Sequence, residues 1–210
     1  MTKIIIADDH VVLRTGLVQL ITKEADMKVV AEFESGEELL AKINDLEFDM
    51  VILDIGLPGR SGIEIIKEIR KFYPKTPILV YSGYEESRYG VRAIQAGANG
   101  YISKEDTKSN LIEALRRIKG GKRYITPKLA ELLALELDKN IEKAPHERLS
   151  DREFEIMLHI AKGKSVSEIA DLLSISVNTV NTYRARILEK MGLSNNTQIA
   201  LYALENKLLD

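Results

Sequence analysis

The sequence predicts an α/β fold: a doubly wound, five-stranded parallel sheet followed by a second, smaller all-α domain. Short apolar, β-rich runs alternate with amphipathic stretches over residues 1–123. These runs show almost no polar alternation, which is typical of parallel strands buried on both faces. Beyond residue 148 no plausible strand remains, whereas signals for helix starts recur. At 210 residues the chain is long for one domain and comfortable for two.

Five βα units are predicted in chain order, because parallel strands need right-handed helical crossovers. The helix that begins at Gly62 carries Ile63, Ile66, Ile69 and Phe72 near the helical period, as expected of a buried stripe. Such units form a flavodoxin-like sheet of strand order 2-1-3-4-5. The predicted strands are 3–7, 29–33, 50–54, 77–82 and 100–103, and the predicted helices are 11–23, 36–44, 62–72, 86–96 and 107–119.

The rest of the chain is predicted to be helical. Thr126 and Pro127 have the residue types of a helix cap and first turn, for a helix that runs to about residue 139. Residues 140–148 are polar and lack an apolar period, which favours an interdomain linker. Ser-x-x-Glu capping boxes at Ser150 and Ser165 begin two helices, and two more are predicted at 177–190 and 195–206. The predicted domains are therefore 1–123 and 149–210, joined by a linker with a helix at 124–148.

Polar side chains stand at the carboxyl ends of four predicted strands. Asp8 and Asp9 follow the first strand, Asp54 closes the third, Ser82 closes the fourth and Lys104 follows the fifth. In a parallel sheet these ends meet at one edge, where ligands bind. Carboxylate oxygens suit Mg²⁺, and a carboxylate beside a cation can attack phosphorus. We therefore predict that the three aspartates hold Mg²⁺ and that Asp54 accepts a phosphoryl group.

Four residues at this edge have more than one interpretation. Ser82 can donate a hydrogen bond to a phosphoryl oxygen and Lys104 can supply a positive charge, although each residue alone also suits an ordinary loop. Tyr101 fits a core aromatic and a mobile switch equally well. His10 is expected to be solvated or packed in a loop rather than to bind metal.

Composition excludes several classes of protein. The chain has no cysteine, which excludes disulfides, thiolate catalysis and zinc–thiolate sites, and its three histidines lie far apart. No apolar run approaches the ~18–20 residues of a membrane helix. Acidic residues at Asp8 and Asp9 precede any long apolar stretch, unlike a signal peptide. These observations predict a cytoplasmic protein with no membrane partner.

The predicted site resembles the receiver domain of two-component response regulators. The segments that carry the resemblance are Ala7-Asp8-Asp9-His10, Leu53-Asp54-Ile55-Gly56-Leu57-Pro58 with Gly62, Ser82-Gly83 and Ile102-Ser103-Lys104. It implies that Asp54 is the phosphoacceptor and that Mg²⁺ is the cofactor. The implied metal ligands are Asp8, Asp9, Asp54 and the Gly56 backbone carbonyl, and the implied switch and phosphate-binding residues are Ser82, Tyr101 and Lys104.

Two positions depart from the receiver pattern. Gly83 stands where the family usually has alanine, which predicts a more mobile loop. Glu105 stands where many receivers have a proline after the lysine, so a cis peptide bond is not expected there.

The last domain carries a helix–turn–helix pattern, in which the second helix lies in the major groove of DNA. Residues 169–176 lead into this helix. Its inner face is predicted to hold Val177, Val180, Ile187, Leu188 and Met191. The candidate base contacts are Asn178, Asn181, Thr182, Ala185 and Arg186, and the candidate phosphate contacts are Ser165, Thr179 and Lys190. Arg184 suits either helix packing or a phosphate contact.

The charge of this domain is unusual for a DNA-binding domain. Residues 149–210 contain seven Lys and Arg against eight Asp and Glu, whereas phosphate neutralisation normally supplies most of the affinity. We therefore expect weak monomeric binding and reliance on a dimer. One face of the last helix suits either dimer contact or packing within the domain; it consists of Ile199, Tyr202, Ala203 and Asn206.

The helical domain resembles the LuxR-type output domain. The matching segments are Leu149-Ser150-Asp151-Arg152-Glu153, Glu168-Ile169-Ala170, Thr179-Val180-Asn181-Thr182-Tyr183-Arg184 and Glu189-Lys190-Met191-Gly192-Leu193. The whole chain thus resembles NarL/FixJ-family response regulators. This implies a phosphorylation-controlled transcription regulator rather than an enzyme. The implied partners are a sensor histidine kinase, double-stranded promoter DNA and a second copy on activation, with RNA polymerase as an additional candidate.

Base preference does not follow from this resemblance, because Asn181 and Tyr183 stand where the family often has lysine and histidine. Two other functions remain open at this point. The helical domain could instead bind proteins, since its charge is near neutral. Alternatively, Asp54 could be the nucleophile of a phosphohydrolase, although Gly56 stands where such enzymes typically have a second aspartate.

Overall fold

The computed structural model describes residues 1–137 and 144–209. The chain divides into two compact units, Met1–Leu137 and Asp138–Asp210. The predicted helix end near residue 139 and residues 140–143 of the predicted linker lie outside the described residues. No helix in the described parts of the chain is both long and apolar enough to span a membrane.

The first unit contains a five-stranded, fully parallel sheet of order β2-β1-β3-β4-β5, which confirms the predicted fold class. Its core is aliphatic, as the apolar strand runs require, and Ile4, Ile6, Ile52 and Leu79 are buried within it. The strands are β1 (Thr2–Ala7), β2 (Met27–Phe33), β3 (Met50–Leu53), β4 (Ile78–Ser82) and β5 (Gly100–Ser103).

The helices of this unit follow the strands as predicted, with small differences at their ends. They are α1 (Val11–Thr22), α2 (Gly36–Lys42), α3 (Gly62–Phe72), α4 (Glu86–Ala96), α5 (Lys108–Lys119) and α6 (Pro127–Leu137). The second helix is shorter than predicted because it tightens into a 3₁₀ turn at Ile43–Asp45. The prediction that Phe72 belongs to a buried stripe was wrong: it is the last residue of α3 and is 72% exposed, whereas Ile65 is buried. The described residues contain no cis peptide bond.

Helix α6 packs on α4 within the same unit. Leu129 of α6 is fully buried and contacts Gly90 of α4, where a Cβ atom would lie only 2.7 Å from a Leu129 methyl carbon. The Thr126 hydroxyl donates a hydrogen bond of 2.7 Å to the Glu86 carboxylate, so the start of each helix is joined to the other. Glycine at position 90 therefore permits the close approach of the two helices.

The second unit is helical among its described residues. After a 3₁₀ turn at Pro145–Arg148 it contains α7 (Asp151–Ala161), α8 (Val166–Leu172), α9 (Val177–Met191) and α10 (Asn196–Glu205). Both predicted capping boxes are present: the hydroxyls of Ser150 and Ser165 accept the N–H groups of Glu153 and Glu168. The side chains of Ser176 and Asn195 cap α9 and α10 in the same way, although without a returning glutamate.

Burial in this unit bears on two predictions about helix faces. Val180, Ile187 and Met191 are buried, as predicted for the inner face of α9. Val177 is 43% exposed, because it occupies the first helical position, so its assignment to the inner face was wrong. On α10, Ile199 and Ala203 are fully buried and pack within the domain, whereas Tyr202 is half-buried and Asn206 is exposed, so a dimer contact at this face stays a prediction.

Candidate functional site

The carboxyl ends of β1, β3 and β5 bring two aspartates and a lysine into contact. Ala7 pairs with Leu53 across β1 and β3, so Asp8 and Asp54 leave the sheet side by side. Both residues are buried, with 1% and 3% of their surface exposed. The Lys104 ammonium lies 2.7 Å from Asp8 Oδ2 and 2.6 Å from Asp54 Oδ2. One cation is thus shared by two carboxylates.

The protonation of Lys104 reflects these neighbours. Burial acts to lower the pKa of its ammonium, but the nearby carboxylates of Asp54 and Asp8 outweigh burial and raise the pKa above its usual value. Lys104 is therefore charged at neutral pH and can meet an anionic group bound to Asp54.

Four residues at this edge could hold a metal ion: Asp8, Asp9, His10 and Asp54 each offer a ligand atom, and these atoms lie within 4.8 Å of one another. Asp8 Oδ2 and Asp9 Oδ1 are buried and make no hydrogen bond of normal geometry, although each lies 2.7 Å from a nitrogen, of Lys104 and His10 respectively. Clustered carboxylates whose oxygens are not all hydrogen-bonded fit a hard divalent cation. The His10 side chain is largely exposed but contacts the acids, more closely than expected for a solvated residue.

Ser82 and Tyr101 lie beside the acidic pocket in a connected arrangement. Ser82 is fully buried at the end of β4, and its hydroxyl accepts the Tyr84 N–H at 3.3 Å. The ring of Tyr101 is also buried, and its hydroxyl donates a hydrogen bond of 2.7 Å to the Tyr84 carbonyl. Burial raises the pKa of the Tyr101 phenol well above its usual value, so this group remains a donor. The structure thus contains Tyr101 in its inward, core position.

Two residues that the sequence analysis did not single out contribute to the site. Tyr84 joins Ser82 to Tyr101, and its ring would lie 3.4 Å from a Cβ atom at Gly56. Arg14 of α1 is buried and donates to the backbone carbonyl of Asp8. The sequence signal for Arg14 was that it is the one charged residue of Val11–Thr22. The Gly56 N–H donates to Asp54 Oδ1 at 3.1 Å, and the role of its carbonyl stays a prediction.

In the second unit, the residues predicted to contact bases lie on the exposed side of α9. These residues are Asn178, Asn181, Thr182, Ala185 and Arg186. The predicted phosphate contacts are more varied. Ser165 is exposed at the start of α8, whereas Thr179 is half-buried, with its hydroxyl 2.8 Å from that of Ser176.

Two basic residues of α9 are engaged within the unit. The Lys190 ammonium lies 2.6 Å from the buried Glu153 carboxylate, so a phosphate contact would have to share or replace this ion pair. Burial acts to raise the pKa of Glu153, but Lys190 and Ser150 outweigh it and lower the pKa. Arg184 donates to the side chain of Asn196, which favours a packing role for a residue that the sequence left ambiguous.

Comparisons with known proteins agree with the two-unit arrangement. A family model described as the response regulator receiver domain matches residues 4–116, and one described as bacterial regulatory proteins, luxR family, matches residues 147–203. The chain is 35% identical to the response regulator GacA of Pseudomonas syringae pv. syringae, over 100% of this chain and 99% of the relative. It is 37% identical to the oxygen regulatory protein NreC of Staphylococcus carnosus, over 99% of each chain.

Solved structures show the same similarity. RcsB from Salmonella enterica serovar Typhimurium, bound to promoter rprA in the presence of the phosphomimetic BeF3⁻, matches with a TM-score of 0.68 and 25% identity, over 96% of this chain and 98% of that one. An RcsB–DNA complex matches with a TM-score of 0.60 and 26% identity, over 96% of each chain. Another matching structure, with a TM-score of 0.60 and 27% identity over 96% of this chain and 97% of that one, contains two RcsB dimers on two parallel DNAs.

Proposed function

The chain belongs to the NarL/FixJ family of two-component response regulators, and on that premise we propose that phosphorylation of Asp54 controls its binding to promoter DNA. The observation that carries this proposal is the contact of Lys104 with both Asp54 and Asp8 in a pocket of clustered carboxylates.

In the proposed reaction an Asp54 carboxylate oxygen attacks the phosphorus of a phosphohistidine on a sensor kinase. The new P–O bond forms as the P–N bond breaks, and the imidazole leaves. Asp8, Asp9, Asp54 and the Gly56 carbonyl would hold Mg²⁺, whose chemical contribution is to neutralise charge on the phosphoryl oxygens. Lys104 would meet one of these oxygens, and the Ser82 hydroxyl would donate to another.

The same residues offer a route from the phosphoryl group to α4. An acyl phosphate carries about −1.5 to −2 charge and three strong acceptor oxygens. Movement of the Ser82 hydroxyl toward them would release the Tyr84 N–H that it now accepts. Because the Tyr84 carbonyl accepts a hydrogen bond from the Tyr101 hydroxyl, we propose that Ser82 and Tyr101 change conformation together. The shift toward the switched conformation is set by how much more favourable the contacts made to the phosphoryl group are than the contacts they replace.

Phosphate uptake tests the assignment of Asp54. We expect the protein to gain the mass of one phosphoryl group on incubation with a small phosphodonor and Mg²⁺, and to gain little with a chelator. The matched variant Asp54→Asn keeps the size of the side chain but lacks the nucleophilic carboxylate, so it should gain none. Intact-mass spectrometry measures the result, and equal uptake by both proteins would refute the assignment.

For DNA binding, we propose that the exposed face of α9 enters the major groove and that two copies bind two half-sites about one helical turn apart. The near-neutral charge of residues 149–210 supports reliance on two copies, since a dimer doubles the phosphate contacts on one ligand.

We place the receiver domain at 1–123, the linker with its helix at 124–148 and the LuxR-type domain at 149–210. Because promoter DNA is the partner, with RNA polymerase a further candidate, we place the activity in the cytoplasm.

Arg186 tests how α9 reads DNA. If its guanidinium meets a base edge, Arg186→Ala should weaken specific binding by roughly 1–3 kcal/mol. Arg186→Lys should weaken it nearly as much, because lysine keeps the charge but lacks the two-pronged donor geometry. A phosphate contact predicts instead that Arg186→Lys binds almost normally and that Arg186→Ala mainly reduces the salt dependence. Footprinting of the phosphorylated protein over a salt series measures both, and the absence of any salt-dependent binding would favour a protein partner instead.

A further inference from the structure

We propose that Arg14 is a positioning residue for the metal-binding acids, which rests on the proposed phosphoacceptor function. Arg14 lies in the first turn of α1, and its side chain is 9% exposed. One guanidinium nitrogen, Nη1, donates to the backbone carbonyl of Asp8. The rest of the group lies against two glutamates at the end of β2: Nη2 is 2.6 Å from Glu34 Oε1, and Nε is 3.3 Å from Glu32 Oε2.

These contacts complete the constraint on Asp8. Its N–H donates to the Phe33 carbonyl at 3.1 Å, and its carboxylate accepts the His10 N–H at 2.8 Å. The backbone carbonyl is the remaining polar group of Asp8, and it accepts a hydrogen bond from Arg14 Nη1. With the Lys104 ammonium 2.7 Å from Asp8 Oδ2, the backbone and side chain of Asp8 are held by four contacts.

The effect of Arg14 extends to Asp9 through the peptide plane. The Asp8 carbonyl oxygen and the Asp9 N and Cα atoms lie in one rigid plane. A guanidinium that holds this oxygen therefore sets the position from which the half-exposed Asp9 carboxylate projects. The planar fork of arginine can meet the carbonyl and both glutamates at once, whereas the single ammonium of lysine cannot reproduce this geometry.

Because Arg14 is positively charged, substitution can distinguish its positioning role from its electrostatic effect on Mg²⁺ binding. A positive charge beside a cation site repels the cation, so its removal should strengthen Mg²⁺ binding if charge alone matters. If Arg14 positions the acids, its removal should weaken binding despite the lost repulsion. The two explanations thus predict opposite directions for the same substitution.

The test measures Mg²⁺ affinity of the full-length protein by isothermal titration calorimetry. Thermal unfolding in the absence of metal measures stability in parallel. We expect Arg14→Met and Arg14→Lys each to weaken Mg²⁺ binding by roughly 10–100-fold, the usual effect of losing a group that orients metal ligands. The matched control Arg60→Met also removes one positive charge, from an exposed position in the loop after β3, and should leave affinity unchanged or slightly higher. Glu34→Gln, which leaves the bond to the Asp8 carbonyl in place, should have a smaller effect.

The outcomes separate this inference from the proposed function. Equal or tighter Mg²⁺ binding by Arg14→Lys, in a protein that unfolds cooperatively, would overturn the positioning role while leaving the metal site intact. Lower thermal stability with unchanged affinity would also overturn it, because that pattern describes a purely structural arginine. Absence of Mg²⁺ binding by the unsubstituted protein would instead contradict the proposed metal site itself. If Arg14→Met does not fold, Arg14→Lys and Glu34→Gln decide the question.

Discussion

Lys104→Met is expected to destabilise the first unit by about 3–5 kcal/mol at neutral pH in the absence of divalent cations. The Lys104 ammonium lies within 2.7 Å of both Asp8 and Asp54, which are buried. Methionine keeps much of the volume of the side chain but leaves two neighbouring carboxylates without their cation. The cost is the desolvation and mutual repulsion of these carboxylates, which the lysine now offsets. Urea unfolding at pH 7 with a chelator measures it.

Two comparisons show whether the cost has this origin. Mg²⁺ should recover much of the lost stability, because a divalent cation can take over the neutralisation of the same carboxylates. Lys108→Met removes an exposed charge from the start of α5 and should change stability by less than about 0.5 kcal/mol. A loss in Lys104→Met that is the same with Mg²⁺ as with a chelator would show that lost packing, rather than uncompensated charge, causes it.

The edge of the sheet could be predicted from sequence because two local features determine it. An apolar run such as Ile4–Ile6 identifies a strand buried on both faces, and the polar residue that ends the run lies at the carboxyl edge. Parallel pairing then brings Asp8, Asp54, Ser82 and Lys104 to that edge. This placement requires no knowledge of side-chain contacts, and the structure brings Asp8, Asp54 and Lys104 into contact at that edge.

Contacts between distant elements could not be predicted in the same way. Lys190 is ion-paired with Glu153, and Arg184 bonds to Asn196. Periodicity places these basic residues on α9 but does not indicate which neighbouring helix offers an acceptor. It also fails at helix ends, where Val177 is exposed although its position on the helix suits the inner face.

The packing of α6 on α4 is connected to the acidic pocket through neighbouring side chains. Tyr84, which connects Ser82 and Tyr101, also stacks against Tyr89 of α4 with ring centres 5.0 Å apart. The next residue along α4 is Gly90, on which Leu129 packs. A contiguous series of contacts therefore leads from Ser82 and Tyr101 through α4 to α6.

Leu129→Ala should release α6 from α4 while leaving the parallel sheet folded. Leu129 is fully buried, and loss of a buried leucine costs about 2–5 kcal/mol. At 11 residues, α6 is too short to be stable alone, so this cost falls on the helix itself. A loss of 2–3 kcal/mol corresponds to amide hydrogen exchange about 30- to 150-fold faster in α6. Leu135→Ala is the matched control, because Leu135 is on the same helix but 56% exposed. Equal protection of α6 in both variants would show that Leu129 does not hold α6 in place.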